Sequence, residues 1–189
     1  MSRRNALRWG SVSQALHWTI ALLILVLGAV GLTMGDLPKT PKYFWVYTAH
    51  KSLGLTVLAL VVLRLGWRLH AGAPPPAAGT PAWQERIASS THWLMYALMF
   101  AIPLSGWAYD SASGLRPFRW FGLVDVPRLV SPDPQAVAVS HAIHEYGFWT
   151  LIAVVLAHAG AALYHHFIQR DATLARMVPR GWLRSPQKD

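Results

Sequence analysis

Four stretches of this 189-residue chain are long and apolar enough to cross a bilayer, and nothing else in the sequence restricts the fold as severely. Trp9 to Gly35, Ile87 to Tyr109 and Tyr146 to Gln169 contain no Asp, Glu, Lys or Arg, and each exceeds the roughly 20 residues needed to span a hydrocarbon core. The fourth, Tyr43 to Leu63, contains Lys51 near one end, where a long side chain reaches the interface. Within lipid every backbone polar group must be satisfied internally, which segments of this length achieve as helices. The expected fold is therefore all-α, an integral membrane four-helix bundle with crossings at about 11–34, 43–68, 86–109 and 138–168. Helices and connections use almost the whole chain, so residues 1–189 read as one domain. The sequence has no internal repeat; Pro74 to Pro76 with Gly72 and Gly79 marks a connection, and Pro103 is expected to kink the third crossing.

The net charge of +9 raises the question of nucleic acid, but the basic residues gather beside crossing ends rather than along one soluble face, so no nucleic-acid partner is expected. With four crossings, Arg3, Arg4, Arg8, Arg64, Arg68, Arg86, Arg170, Arg176, Arg180, Arg184 and Lys188 share one side. Lys39, Lys42, Lys51, Arg116, Arg119 and Arg128 share the other. The positive-inside rule then puts both termini in the cytoplasm of a plasma membrane; three crossings would split them. The first apolar run exceeds a typical signal core and no convincing cleavage site follows, so it is read as retained. The chain has no cysteine, which excludes disulfides, thiolate-held iron–sulfur clusters and thioether-attached haem, and leaves non-covalent b-type haem as the form available.

Histidines supply the chemistry. His144 and His158 are fourteen residues apart in the last crossing; fourteen steps of about 100° bring both rings to nearly one face, about 21 Å apart along the axis. His17 and His50 sit near the starts of two other crossings. Because alternate helices run in opposite directions, His17 faces His158 in the cytoplasmic half and His50 faces His144 in the far half. A lone histidine near a membrane end is ordinarily an interfacial or hydrogen-bonding group. Four that pair by level, with His158 between Ala157 and Ala159 in an apolar run, point instead to two haem irons. Two imidazoles saturate an iron and favour electron transfer over oxygen binding.

The chain also resembles the four-helix bacterial cytochrome b561 proteins over nearly its whole length. The resemblance rests on Leu16-His17-Trp18, His50-Lys51-Ser52-Leu53-Gly54, Ile102-Pro103-Leu104-Ser105-Gly106-Trp107, and His144-Glu145 followed by His158. The tail adds His165-His166, Asp171-Ala172-Thr173-Leu174 and Arg176-Met177-Val178-Pro179-Arg180. It implies two haem b groups, with His17 and His158 as the cytoplasmic-side iron ligands and His50 and His144 as the periplasmic-side ligands, in agreement with the depth argument.

His92 lies at the level of His17 and His158 and competes with them; the family pattern leaves it unligated, a hydrogen-bonding or interfacial residue beside Trp93. His141 and His70 are read as structural. His165 stands two turns beyond His158 on nearly the same face, where it either lines a quinone pocket or, with His166, anchors the helix end at the headgroups. Lys51 either pairs with a haem propionate or extends into the interface. Gly54, Gly106 and Gly147 either let a macrocycle approach or simply permit close packing, and the ten tryptophans read as interfacial or pocket-wall residues.

The family includes a superoxide oxidase, so the resemblance implies electron transfer from periplasmic superoxide through the haems to ubiquinone. Lys51, Arg116 and Arg119 would steer the anion, against the opposing charges of Asp110, Asp125, Asp133 and Glu145. The alternatives are an electron-carrying membrane anchor for a periplasmic redox protein, and a haem-free transporter.

Overall fold

The computed structural model describes residues 7–38, 40–77, 79–115 and 117–183; Arg3, Arg4, Lys39, Arg116, Arg184 and Lys188, counted above for topology, lie outside them. Its architecture is four long helices: α1 (Ser11–Met34), α2 (Phe44–Ala71), α3 (Ala82–Ser113) and α4 (Pro134–Phe167). All four are long and apolar enough to cross a membrane.

The ends of the helices follow backbone chemistry rather than the first charge met. Glu85, Arg86 and Asp110 stay helical, so α3 runs from just after Pro81 to Gly114, whose φ of 66° closes it in the left-handed region. The expected 86–109 span is thus extended by four residues at each end. α4 begins at Pro134, before the expected 138. Pro134 occupies the first turn, where its missing N–H costs nothing, and the Asp133 carboxylate accepts from Gln135 N and Ala136 N. A helix of 32 residues is about 48 Å long, so α3 projects beyond a core of about 30 Å or tilts within it.

α3 packs most extensively on α4, and α1 and α3 pack on α2. A small core of Ile20, Val57, Val61 and Tyr96 joins α1, α2 and α3 at mid-depth. Large side chains such as Leu22, Leu25, Leu156 and Leu163 are exposed, as expected where lipid rather than water surrounds the bundle.

Between α3 and α4 the chain forms a two-stranded antiparallel hairpin, β1 (Phe118–Trp120) and β2 (Val124–Val126), with Trp120 opposite Val124. It lies on α2: Phe121 N donates to Ser52 Oγ at 2.9 Å, and Trp120 Nε1 to Ser52 O and Thr56 Oγ1 at 3.2 Å each. Phe121 has φ 47°, a strained position for an aromatic residue, held there by its bond to the fully buried Ser52. Trp107 Nε1 donates to Pro127 O, and Leu129 N to Ser111 Oγ, pinning the rest of the connection to α3.

At the opposite end the segment after α4 turns back as a strap. Arg170 (φ 53°) reverses the chain, and Ala175–Met177 forms a 3-10 turn against the start of α1. Trp18 Nε1 donates to Met177 O, Gln14 Nε2 to Arg176 O and Val178 O, and Arg8 to Val178 O.

Candidate functional site

The four histidines singled out by spacing meet in two pairs, one at each end of the bundle. The ring centroids of His17 and His158 are 6.3 Å apart with planes at 74°; those of His50 and His144 are 6.1 Å apart at 71°. Each pair joins α4 to α1 or α2, helices whose backbones do not pack tightly on it. Two imidazoles bound to one ion by bonds of about 2 Å would place their ring centroids no more than about 6.3 Å apart, so each pair is close enough to hold one ion between its rings. Among the described residues no group of three or more His, Cys, Asp or Glu side chains could hold a metal. His50 and His144 stand as a pair, and His92 adds a third ring beside His17 and His158; two imidazoles per centre would suit a macrocycle that supplies the remaining nitrogen ligands itself.

His144 is oriented by the third helix. Pro103 has no N–H and interrupts the local helical ladder of α3; beside it, the Ile102 carbonyl accepts from His144 Nδ1 at 2.8 Å and from Ser105 Oγ at 2.8 Å. With Nδ1 as donor, Nε2 keeps the lone pair a metal requires. Gly106 makes room for the ring, since a Cβ there would stand 2.9 Å from His144 Cε1. His50 lies against Gly31, where a Cβ would come within 3.3 Å of Cε1, and its Nδ1 is buried with no hydrogen-bond partner. Ile24, Leu27, Gly28, Gly54, Val57 and Phe148 are among the residues lining an apolar cleft of about 80 Å³ at this pair. These observations fit haem b: two imidazoles per centre, apolar walls, and one donor with its tautomer set from behind.

The same geometry refines several sequence expectations. Gly106 and Gly147 face His144 and Ile102 respectively, so they serve packing between α3 and α4, whereas Gly54 borders the cleft with open space beside it. His92 does approach the other pair, with its centroid 5.3 Å from that of His158. His141 is half-exposed beside Glu145 and Tyr109, and His70 lies near Trp67.

Lys51 donates to Asp110 at 2.8 Å and lies over the Phe118 ring. Arg119 pairs with Asp125 at 3.1 Å. Two of the three cations expected to steer an anion thus already have carboxylate partners, which flattens the field they can project. Only three-dimensional proximity discloses these pairings, because Lys51 and Asp110 are 59 residues apart.

His165 Nδ1 lies 2.6 Å from Asp171 Oδ2, while Thr173 N donates to Asp171 Oδ1. Burial pushes the Asp171 carboxyl upward, but the bonds from Thr173 and His165 outweigh it and hold the group below the usual carboxylate range. The neighbouring His166 Nδ1 is buried with no hydrogen-bond partner among the described residues.

Two residues counted only for topology belong to the site. Arg64 and Arg68 lie on α2, one turn apart, where Arg64 bonds Ser13, one turn before His17, and Arg68 packs over Trp93, next to His92. The available signal was an i, i+4 arginine pair inside an apolar helix that contains no acidic residue.

Residues 8–180 match the family described as prokaryotic cytochrome b561. The chain is 34% identical to "Cytochrome b561 homolog 1" of Escherichia coli strain K12, covering 92% of this chain and 98% of that one. It is 32% identical to "Cytochrome b561 homolog 2" of the same strain, covering 90% and 91%. It is 27% identical to "Probable superoxide oxidase CybB" of Yersinia pestis, covering 92% and 97%. The chain therefore belongs to the prokaryotic cytochrome b561 family, multi-pass inner-membrane proteins that bind haem b and transfer electrons across the membrane.

Proposed function

We propose that the protein is a di-haem superoxide:ubiquinone oxidoreductase with both termini in the cytoplasm. The reading rests on one observation above the rest: two imidazole pairs whose centroids are 6.1 and 6.3 Å apart, one at each end of α4. In it His50 and His144 hold the periplasmic-side haem iron and His17 and His158 the cytoplasmic-side one, within a single domain. When bound, haem supplies the one-electron chemistry, and bis-imidazole ligation favours electron transfer over ligand binding at iron.

The chain's own residues do the rest. Ile102 holds the His144 tautomer, and the hairpin covers α2 just beyond His50. Lys51, held by Asp110, supplies local positive charge toward a propionate or an arriving anion. At the cytoplasmic end His165 donates Nδ1–H to Asp171, which leaves Nε2 to accept a proton and, in the doubly protonated ring, to donate it to a quinone oxygen. The relative from Yersinia pestis carries superoxide oxidase in its name, which supports this substrate.

The test is a superoxide pulse delivered to purified protein with ubiquinone present. Haem reduction and quinol formation well above spontaneous dismutation are the expected result. If electrons enter only when a soluble redox protein is added, the chain is instead a membrane anchor that relays them.

A further inference from the structure

Arg64 and Arg68 are cations that the described protein leaves without a counter-ion. Arg64 donates from Nη1 to Ser13 O at 3.2 Å; Ser13 is buried and uncharged. Arg68 is ringed by Trp9, Trp93 and Tyr96, with its guanidinium carbon 5.7 to 5.9 Å from their centroids. Neither guanidinium has a carboxylate within ion-pair distance among the described residues. Among the described residues the nearby supply is exhausted: α1 and α2 contain no acid, Glu85 is exposed at the start of α3, and Asp171 is engaged by His165 and Thr173.

A guanidinium in a low-dielectric setting is costly unless an anion accompanies it. Extension toward lipid headgroups would relieve that cost, yet Arg64 reaches across to Ser13 of α1 and Arg68 packs against Trp93 and buried Tyr96 of α3. Arg64 stands about 10 Å inside the end of α2, between the level of the histidines and the membrane surface. A carboxylate carried by a group bound at His17 and His158 would meet two cationic donors there.

We propose that Arg64 and Arg68 form a carboxylate-binding site for a propionate of the cytoplasmic-side haem, an inference that rests on the di-haem reading. Two positive charges there also favour the reduced, less positive iron centre and so make this haem the better electron acceptor of the two.

Arg64→Gln, Arg64→Lys and Arg68→Gln, purified in nanodiscs, test the site by redox titration, resonance Raman spectroscopy and haem content, with His17→Ala marking which haem responds. The expected result is a lowered midpoint for the His17-dependent haem in both Gln variants. A shifted propionate bending mode should accompany it, the other haem should be unchanged, and most of the effect should be recovered in Arg64→Lys. Unchanged midpoint and propionate mode in fully loaded Gln variants overturn the proposal, as does a loss that lysine fails to rescue. A shift seen with phosphatidylglycerol and absent in pure phosphatidylcholine assigns the site to a lipid phosphate and also overturns it. A wild-type chain with fewer than two haems refutes the underlying reading instead, which distinguishes the two failures.

Discussion

His144 shows how much of the site one residue can reveal. Its spacing from His158 is visible in the sequence because helical periodicity is local. Its seat on α3, the Ile102 carbonyl with the gap left by Gly106, is not, because those residues are about forty positions away. Single alanine replacements at His17, His50, His144 and His158 are each expected to halve the haem content measured as pyridine haemochrome, while His92→Ala retains it. Gly106→Ala places a Cβ where His144 Cε1 lies, 2.9 Å away. It is expected to displace the ring, release the haem held with His50, and cost about 1–3 kcal/mol of stability through overpacking. Arg64 and Arg68 were visible as charges but not as site residues, since only their neighbours show that no acid answers them.

The helices were legible as elements because a crossing needs length and apolar composition, both of which the sequence displays directly. Their ends were less so: α3 runs past Glu85 and Asp110 until Pro81 and Gly114 stop it, because interface charges do not break a helix and those residues do. The hairpin was not legible. Its strands are three residues each, and its place depends on Ser52, which accepts the Phe121 N–H at 2.9 Å. Ser52→Ala removes the acceptor of the part-buried Phe121 N–H and is expected to cost about 0.5–1.5 kcal/mol, with faster amide exchange confined to residues 118–126. The strap after α4 has a comparable pin in Asp171. A carboxyl held below its ordinary range stabilises the fold fully above the unfolded value of 3.8, and that contribution is lost as pH falls through the lower folded value. Asp171→Asn is therefore expected to loosen residues 169–178 at neutral pH, and to differ progressively less from wild type as the medium is acidified below about pH 4.

The bundle as a whole is electrically lopsided. Among the described residues its basic excess lies at the end where α1 begins and α4 stops; at the hairpin end Lys42, Lys51, Arg119 and Arg128 meet five carboxylates, Asp36, Asp110, Asp125, Asp133 and Glu145. Two of these carboxylates are paired with Lys51 and Arg119. Steered association in strongly focusing fields gains 10- to 1,000-fold. Here reduction of the haems by superoxide is expected to change by less than about tenfold between low and physiological salt, measured by stopped-flow absorbance. A steeper dependence would show that the far-side cations act unpaired.

Membrane insertion, helix number and the facing of His144 and His158 could be read from residue order, because they depend on composition and on periodicity within one segment. The pairing of rings across helices, the Lys51–Asp110 bond and the reach of Arg64 to Ser13 required the folded chain. Contacts between distant segments depend on how helices cross, and crossing is decided by side-chain packing that no single segment encodes.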